Sequence, residues 1–208
     1  MEGLMRLKAM AKINLGLDVL GKREDGYHEV RMIMQTIRMY DILDIRKTRR
    51  PGIVLTTNLP FIPTDQRNLV YKAAQMLMEE FDVEEGLSIK LRKFIPVAAG
   101  MAGGSSDAAA AFVGVNRMFH LGLTEEQLME RAVKVGADVP YCIMRGTALA
   151  EGIGEKLTRL PEVPKCYVLI GKPGINVSTK TAYENLNLEG IGKHPDIDGL
   201  IGAIRNND

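Results

Sequence analysis

Hydrophobic and polar residues alternate along the first part of the chain, as they do in a strand with one buried face. Between residues 7 and 19 every odd position is apolar, whereas the even positions include Lys8, Lys12, Asn14 and Asp18. This period of two predicts a long β-strand with Lys12 and Asn14 on its polar face. Similar apolar content predicts two further strands, over residues 28–38 and 41–47.

Helical spacing and capping residues predict the helices. Asn68 is a suitable N-cap for a helix with apolar residues at helical spacing, and Thr124 with Gln127 forms a capping box. Shorter patterns predict strands over residues 86–93, 147–150 and 166–170, a helix over 178–186 and a last apolar segment over 197–204. The mixture predicts an α+β architecture, with a domain boundary near residue 160, where Pro161 and Pro164 flank charged residues.

A glycine-rich loop between a predicted strand and a predicted helix is the strongest signal for chemistry. Glycines at positions 100, 103 and 104 allow backbone N–H groups to converge, and Ser105, Ser106 and Asp107 are expected to begin the helix. The positive N-terminus of a helix favours an anion, so the loop predicts phosphate binding. The GxxxxGK[ST] and GxGxxG fingerprints both fail here. The alternative is a flexible turn with serine N-caps.

Three other residues are candidates for chemistry only in combination. Asp138, in Gly-Ala-Asp-Val-Pro, is a candidate base, although a turn aspartate explains it as well. Lys12 taken alone is interpreted as a solvated lysine on a strand, and His28 taken alone as a residue of a turn. None of the three establishes catalysis by itself.

Composition and charge exclude several classes of protein. The 208 residues are 46% hydrophobic, which is enough for a core, and 27 Lys+Arg against 26 Asp+Glu leave no broad basic face for nucleic acid. The basic run at 46–50 is interpreted as a solvated strand end. Cys142 and Cys166 lack the spacing of a disulfide framework or a zinc site, which favours a reducing cytoplasm. No apolar run approaches the ~18 residues that span a bilayer, so membrane insertion and secretion are not expected.

Taken together, the motifs resemble those of the GHMP kinase superfamily over nearly the whole chain. The resemblance rests on Ala-Lys-Ile-Asn-Leu at 11–15, Asp-Gly-Tyr-His at 25–28, the loop at 96–106, Gly-Ala-Asp-Val-Pro at 136–140, Ala-Glu-Gly-Ile-Gly-Glu at 150–155, and Pro-Gly at 173–174 followed by Ser-Thr at 178–179. The first two motifs narrow it to the branch that phosphorylates 4-diphosphocytidyl-2-C-methyl-D-erythritol.

The resemblance implies transfer of the ATP γ-phosphoryl group to the 2-hydroxyl of that cytidine-diphospho substrate, in the non-mevalonate route to isoprenoids. It implies Asp138 as the base that takes the hydroxyl proton, with Lys12 beside it keeping Asp138 ionised. Substrate contacts are implied for Asn14, Tyr27, His28, Thr179 and Tyr183, with His28 reading the cytosine edge. Nucleotide contacts are implied for Lys93, Pro96, Val97, Ala98, Ala99, Gly100, Met101, Ala102, Gly103, Gly104, Ser105 and Ser106. Mg²⁺ is expected to arrive with ATP, because no dedicated metal cage is visible.

The resemblance also implies a fold. Residues 1–160 are expected to form a lobe like domain 2 of ribosomal protein S5, and residues 161–208 to begin a ferredoxin-like lobe. Family members continue past the position of residue 208, so this second lobe is expected to be incomplete. Apolar residues there are then expected to lose their partners and to favour self-association; they are Val168, Leu169, Ile170, Leu200, Ile201 and Ile204.

Three alternatives remain open at this level. One is another GHMP kinase, acting on homoserine or mevalonate. The second is a truncated, catalytically impaired remnant that binds nucleotide or a partner protein. The third, an RNA-binding module of the S5 type, has little support in a chain of net charge +1. A small-molecule substrate, with neither nucleic acid nor membrane as partner, is the expectation.

Overall fold

The computed structural model describes residues 3–174, 179–190 and 192–206. Two compact units interleave along the chain. One contains the chain up to Ala11, Ile37–Pro96 and Ala102–Met144, and the other contains Lys12–Thr36, Val97–Met101 and the chain from Arg145 onward. The units differ from the sequential division at residue 160, which stays a prediction.

Two long strands, β1 (Met5–Lys22) and β2 (His28–Thr48), pair with each other and run through both units. In the first unit β4 (Gly86–Arg92) pairs antiparallel with β2, and β3 (Ile53–Thr57) pairs parallel with β4. The helices of this unit are α1 (Leu69–Glu80), α2 (Gly103–Met118), α3 (Glu125–Ala132) and α4 (Val139–Met144). Leu43, Ile45 and Ile89 are fully buried on the sheet.

In the second unit β5 (Thr147–Gly152) pairs antiparallel with residues 30–35 of β2, and β6 (Lys156–Leu160) pairs antiparallel with β5. Helix α5 (Thr179–Glu184), a 3-10 turn (Leu188–Gly190) and α6 (Ile197–Asn206) follow. Ile197, Ile201 and Ile204 lie on one face of α6, and they are buried against Ile33 of β2.

Several predictions from the sequence are confirmed. The first strand and α1 form as expected, and the Asn68 side chain accepts from the Val70 N–H at 2.9 Å. Both bonds of the capping box at Thr124 and Gln127 are present at the start of α3. The mixed α+β architecture is confirmed as well.

Other predictions are wrong. Residues 28–38 and 41–47 form one continuous strand, because no glycine or proline lies between them. The strands β3 and β6 and the helix α4 were not predicted. The strand predicted over residues 166–170 does not form, because none of the described strands pairs with this segment. Its side chains are open to solvent, and Tyr167 and Leu169 are 106% and 100% exposed. Exposure of residues 168–170 is thus confirmed. The expected exposure of Leu200, Ile201 and Ile204 is wrong, because the two isoleucines are buried with Ile33 and Leu200 packs against them, partly buried. No described helix has the length and apolar character needed to cross a membrane.

We expect Ile201→Ala to lower the free energy of unfolding by about 2–4 kcal/mol, because it leaves a cavity among packed isoleucines. The matched control, Leu169→Ala, removes a fully exposed side chain of the same size and is expected to change that value by less than about 0.5 kcal/mol. Urea denaturation of both variants measures this difference. Equal losses in the two variants would contradict the packing of α6 described here.

Candidate active site

Lys12 lies in β1 where the strand's alternating burial breaks. Ala11 and Lys12 are both buried, and Lys12 is only 5% exposed. Its Nζ donates to Asn14 Oδ1 at 3.0 Å, and its backbone N–H donates to the Met101 carbonyl at 3.2 Å. The interpretation of Lys12 as a solvated lysine is therefore wrong, and the strand is bonded directly to the glycine loop.

The glycine loop has an unusual backbone. Ala98, Gly100 and Ala102 have φ values of 53°, 70° and 53°, and only at glycine is this left-handed region free of steric cost. For an alanine the cost is on the order of 1 kcal/mol, so the surrounding structure imposes this path. The loop thus turns at every second residue before α2 begins.

Helix α2 begins at Gly103, two residues earlier than predicted, with Ala102 as its N-cap. No side chain caps this N-terminus in the described structure. The Ser106 hydroxyl donates to the Gly103 carbonyl at 3.0 Å, so the interpretation of the serines as N-caps is wrong. The first N–H groups of a helix have no acceptor within the helix, and such an N-terminus is suited to an anion.

A buried cluster of charged groups lies at the base of this loop. Lys93, which directly follows β4, donates through Nζ to Asp107 Oδ2 at 2.6 Å and also to Asp41 Oδ2. Asp41 Oδ1 accepts the N–H groups of Phe94 at 2.5 Å and Ile95 at 2.8 Å. All three charged side chains are buried. We call Asp41, Lys93 and Asp107 the buried cluster.

The two carboxyl groups of the buried cluster have different surroundings. Asp107 Oδ1 is buried and has no hydrogen-bond partner among the residues described. Burial raises the pKa of Asp107 well above its usual range, the nearby Lys93 ammonium opposes this shift, and the charge of Asp41 adds to it. Asp41 accepts three hydrogen bonds, from the Lys93 ammonium and two backbone N–H groups. Asp107 accepts one, from Lys93.

Sequence reasoning missed Asp41 and gave Asp107 no separate role. The available signal for Asp41 was a charged residue on the same strand face as the buried Leu43 and Ile45. Lys93 was predicted to lie near the nucleotide. Its ammonium is engaged by two carboxyl groups, and direct contact with a nucleotide stays a prediction for this residue.

A tight turn between β1 and β2 presents Tyr27 and His28. The Arg23 N–H donates to the Tyr27 carbonyl at 2.8 Å, and Gly26 adopts a φ of 86°. The Tyr27 N–H donates to Asp25 Oδ1 at 3.0 Å, and this bond is the main cause that lowers the pKa of Asp25. Tyr27 is left 58% exposed.

The ring of His28 lies against that of Tyr183 in α5, with centroids 5.0 Å apart and planes tilted by 31°. Of the predicted site residues, His28 and Tyr183 are thus brought together, as are the predicted catalytic Lys12 and the predicted substrate residue Asn14. Thr179 begins α5, but its side chain lies outside the description, as does Ser178. Asp138 directly precedes α4, is half-buried, and its carbonyl accepts the Cys142 N–H at 3.1 Å.

The described residues offer no group of three or more His, Cys, Asp or Glu side chains arranged to hold a metal ion. Cys142 is buried and Cys166 is exposed, and no disulfide joins them within the described structure.

Comparison with known proteins gives consistent results. Residues 68–146 match the model of the GHMP kinases N terminal domain. The chain is 57% identical over 201 residues to the 4-diphosphocytidyl-2-C-methyl-D-erythritol kinase of Lachnospira eligens, covering 97% of this chain and 70% of that protein. The same-named protein of Lachnoclostridium phytofermentans is 57% identical over 205 residues, covering 99% of this chain and 70% of the relative. A crystal structure of 4-(cytidine 5'-diphospho)-2C-methyl-D-erythritol kinase matches with a TM-score of 0.80 and 30% identity, covering 98% of this chain and 72% of that one.

The fold and the glycine loop define the class as a small-molecule kinase of the GHMP type. Membership of a kinase family implies the use of ATP. At 57% identity and with 70% of the relative's length covered, the chain belongs to the family of 4-diphosphocytidyl-2-C-methyl-D-erythritol kinases. The three alternative functions considered from sequence are accordingly not favoured.

Proposed function

We propose that this chain transfers the γ-phosphoryl group of ATP to the 2-hydroxyl of 4-diphosphocytidyl-2-C-methyl-D-erythritol. The observation that carries the proposal is the glycine loop, which turns left-handed at three alternate residues and leads into a helix that no described side chain caps. Such a backbone is suited to the phosphates of a nucleotide. Family membership supplies the acceptor.

The loop residues 96–106 and the N-terminus of α2 bind the phosphates in this proposal, through backbone N–H groups and the helix dipole. Mg²⁺ enters with ATP and neutralises phosphate charge when it is bound. No dedicated set of protein ligands is needed for it.

Asp138 and Lys12 serve the reaction itself in this proposal. Asp138 accepts the proton of the acceptor hydroxyl, whose oxygen bonds to the γ-phosphorus while the bond from that phosphorus to the bridging oxygen breaks and ADP leaves. Lys12 offsets the negative charge on the transferring group. Burial of its ammonium supports this role, because a charge acts more strongly where water is excluded.

The turn and α5 recognise the acceptor in this proposal. His28 reads the hydrogen-bonding edge of cytosine, and Tyr27 and Tyr183 provide aromatic surface for the base. The exposure of Tyr27 and the ring contact between His28 and Tyr183 support it. Asn14, bonded to Lys12, and Thr179 complete the proposed set.

We further propose the finer architecture that the family implies. Residues 1–160 correspond to a lobe like domain 2 of ribosomal protein S5, and residues 161–208 begin a ferredoxin-like lobe. The protein acts in the cytoplasm in this proposal. Self-association is supported by the exposed apolar residues Tyr167, Val168 and Leu169.

We expect ADP release to depend on the cytidine-diphospho acceptor, and CMP to inhibit it more strongly than UMP, because one satisfied edge is worth roughly 1 kcal/mol. A coupled assay for ADP measures both effects. His28→Asn is expected to abolish the preference for CMP. His120→Asn, the same substitution at an exposed position, is the matched control. ADP release that is independent of acceptor would contradict the proposed reaction, and equal inhibition by CMP and UMP would contradict the cytosine pocket.

We expect Asp138→Asn and Lys12→Met each to lower kcat by roughly 10²-fold or more and to change ATP binding much less, because both groups act on the transition state. Single-turnover kinetics together with a nucleotide-binding titration separate the two effects. The controls are Asp82→Asn, an exposed aspartate, and Lys8→Met, an exposed lysine of the same strand. Near-normal turnover in Asp138→Asn would show that another group takes the proton.

A further inference from the structure

The buried cluster connects both flanks of the glycine loop to one position in β2. The chain enters the loop through Lys93, Phe94 and Ile95, and all three are bonded to Asp41. The chain leaves the loop through α2, whose Asp107 is bonded to Lys93 at 2.6 Å. The exposed residues of the loop lie between these two fixed points.

The first turn of α2 approaches the cluster closely at Gly103. A Cβ at Gly103 would lie 3.2 Å from Lys93 Nζ and 3.2 Å from Ile95 Cγ2. These distances are at the tight limit of ordinary contacts. The lysine ammonium and Ile95 therefore lie directly against the first turn of the helix.

The two carboxyl groups of the buried cluster differ in how many hydrogen-bond donors surround them, and the negative charge is favoured where the donors are more numerous. Asp41 accepts from one ammonium and two backbone N–H groups, which is the environment of an ionised carboxylate. Asp107 accepts only from Lys93, and its other oxygen is buried without a donor in the described structure. A buried anionic oxygen without a donor is far costlier than a buried neutral one.

We propose that Asp41, Lys93 and Asp107 are positioning residues that fix the two flanks of the glycine loop, as one carboxylate, one ammonium and one neutral carboxylic acid. The raised pKa of Asp107, caused first by its burial, supports the neutral form. The effect of the cluster on phosphate binding rests on the proposed kinase function, whereas its effect on the position of the loop does not.

The test is hydrogen exchange at the amides of residues 97–106 without nucleotide, combined with the KM for ATP and kcat. Lys93→Met is expected to speed exchange roughly tenfold or more, because it removes charge-assisted hydrogen bonds. The KM for ATP is expected to rise by about the same factor with kcat changed less, since fewer molecules hold a competent loop. In Asp107→Asn, the exchange rate of the loop amides and the KM for ATP are both expected to stay within about threefold of wild type, because an amide replaces a neutral acid.

Asp44→Asn is the matched control, because Asp44 lies three residues beyond Asp41 in β2 and pairs with Arg6 and Arg92 instead of the loop flanks. It is expected to lower stability and leave loop exchange within about threefold of wild type. If Lys93→Met fails to fold, Lys93→Met combined with Asp41→Asn keeps the cluster neutral and is expected to show the same fast loop exchange.

Unchanged exchange in the variants that lack Lys93 would overturn the positioning role. Asp107→Asn as disruptive as Lys93→Met would overturn the assignment of the neutral acid. Fast exchange in Lys93→Met, in a protein whose wild type shows no acceptor-dependent ADP release, would support the buried cluster and contradict the proposed function instead.

Discussion

The buried ammonium of Lys93 is the interaction on which the placement of the glycine loop depends. It is bonded to Asp41 of β2 and Asp107 of α2, and so joins a strand, the segment after β4 and a helix. Hydrogen bonds to charged groups contribute about 1.5–3 kcal/mol each, whereas burying each ion costs several kcal/mol. The cluster thus adds little net stability. Its effect is geometric, because only one arrangement of the three elements satisfies the charges.

The loop that this arrangement holds would be unfavourable by itself. Alanines at 98 and 102 adopt left-handed backbone that costs each of them on the order of 1 kcal/mol. The bond from the Lys12 N–H to the Met101 carbonyl fixes the loop from the side of β1. A backbone held in advance loses less conformational entropy when phosphates bind, and this relates the packing of the loop to its proposed function.

Much of the fold could be predicted because local rules agree with the tertiary structure. The alternation in β1, the Asn68 cap and the capping box at Thr124 depend only on nearby residues. The failures lie where distant partners decide. Residues 166–170 have strand composition but pair with no described strand. The apolar face of α6 remains buried because it packs against Ile33.

The candidate site shows the same division. The loop and its helix were visible in the sequence because glycine spacing is local. The partnership of Lys93 with Asp41 was not, since 52 residues separate them. Lys12 had an exposed position in the strand pattern, yet the structure buries it beside Asn14. Polar groups buried by long-range contacts are the ones that a periodic pattern cannot assign.

The most direct measurement of the central claim is the ¹³C chemical shift of the Asp107 side-chain carboxyl, assigned by its loss in Asp107→Asn. We expect the shift of a neutral acid to persist to a pH well above the usual range of an aspartate, because burial raises the pKa of Asp107. An Asp107 carboxyl that titrates near the ordinary aspartate pKa of about 3.9 would contradict the account.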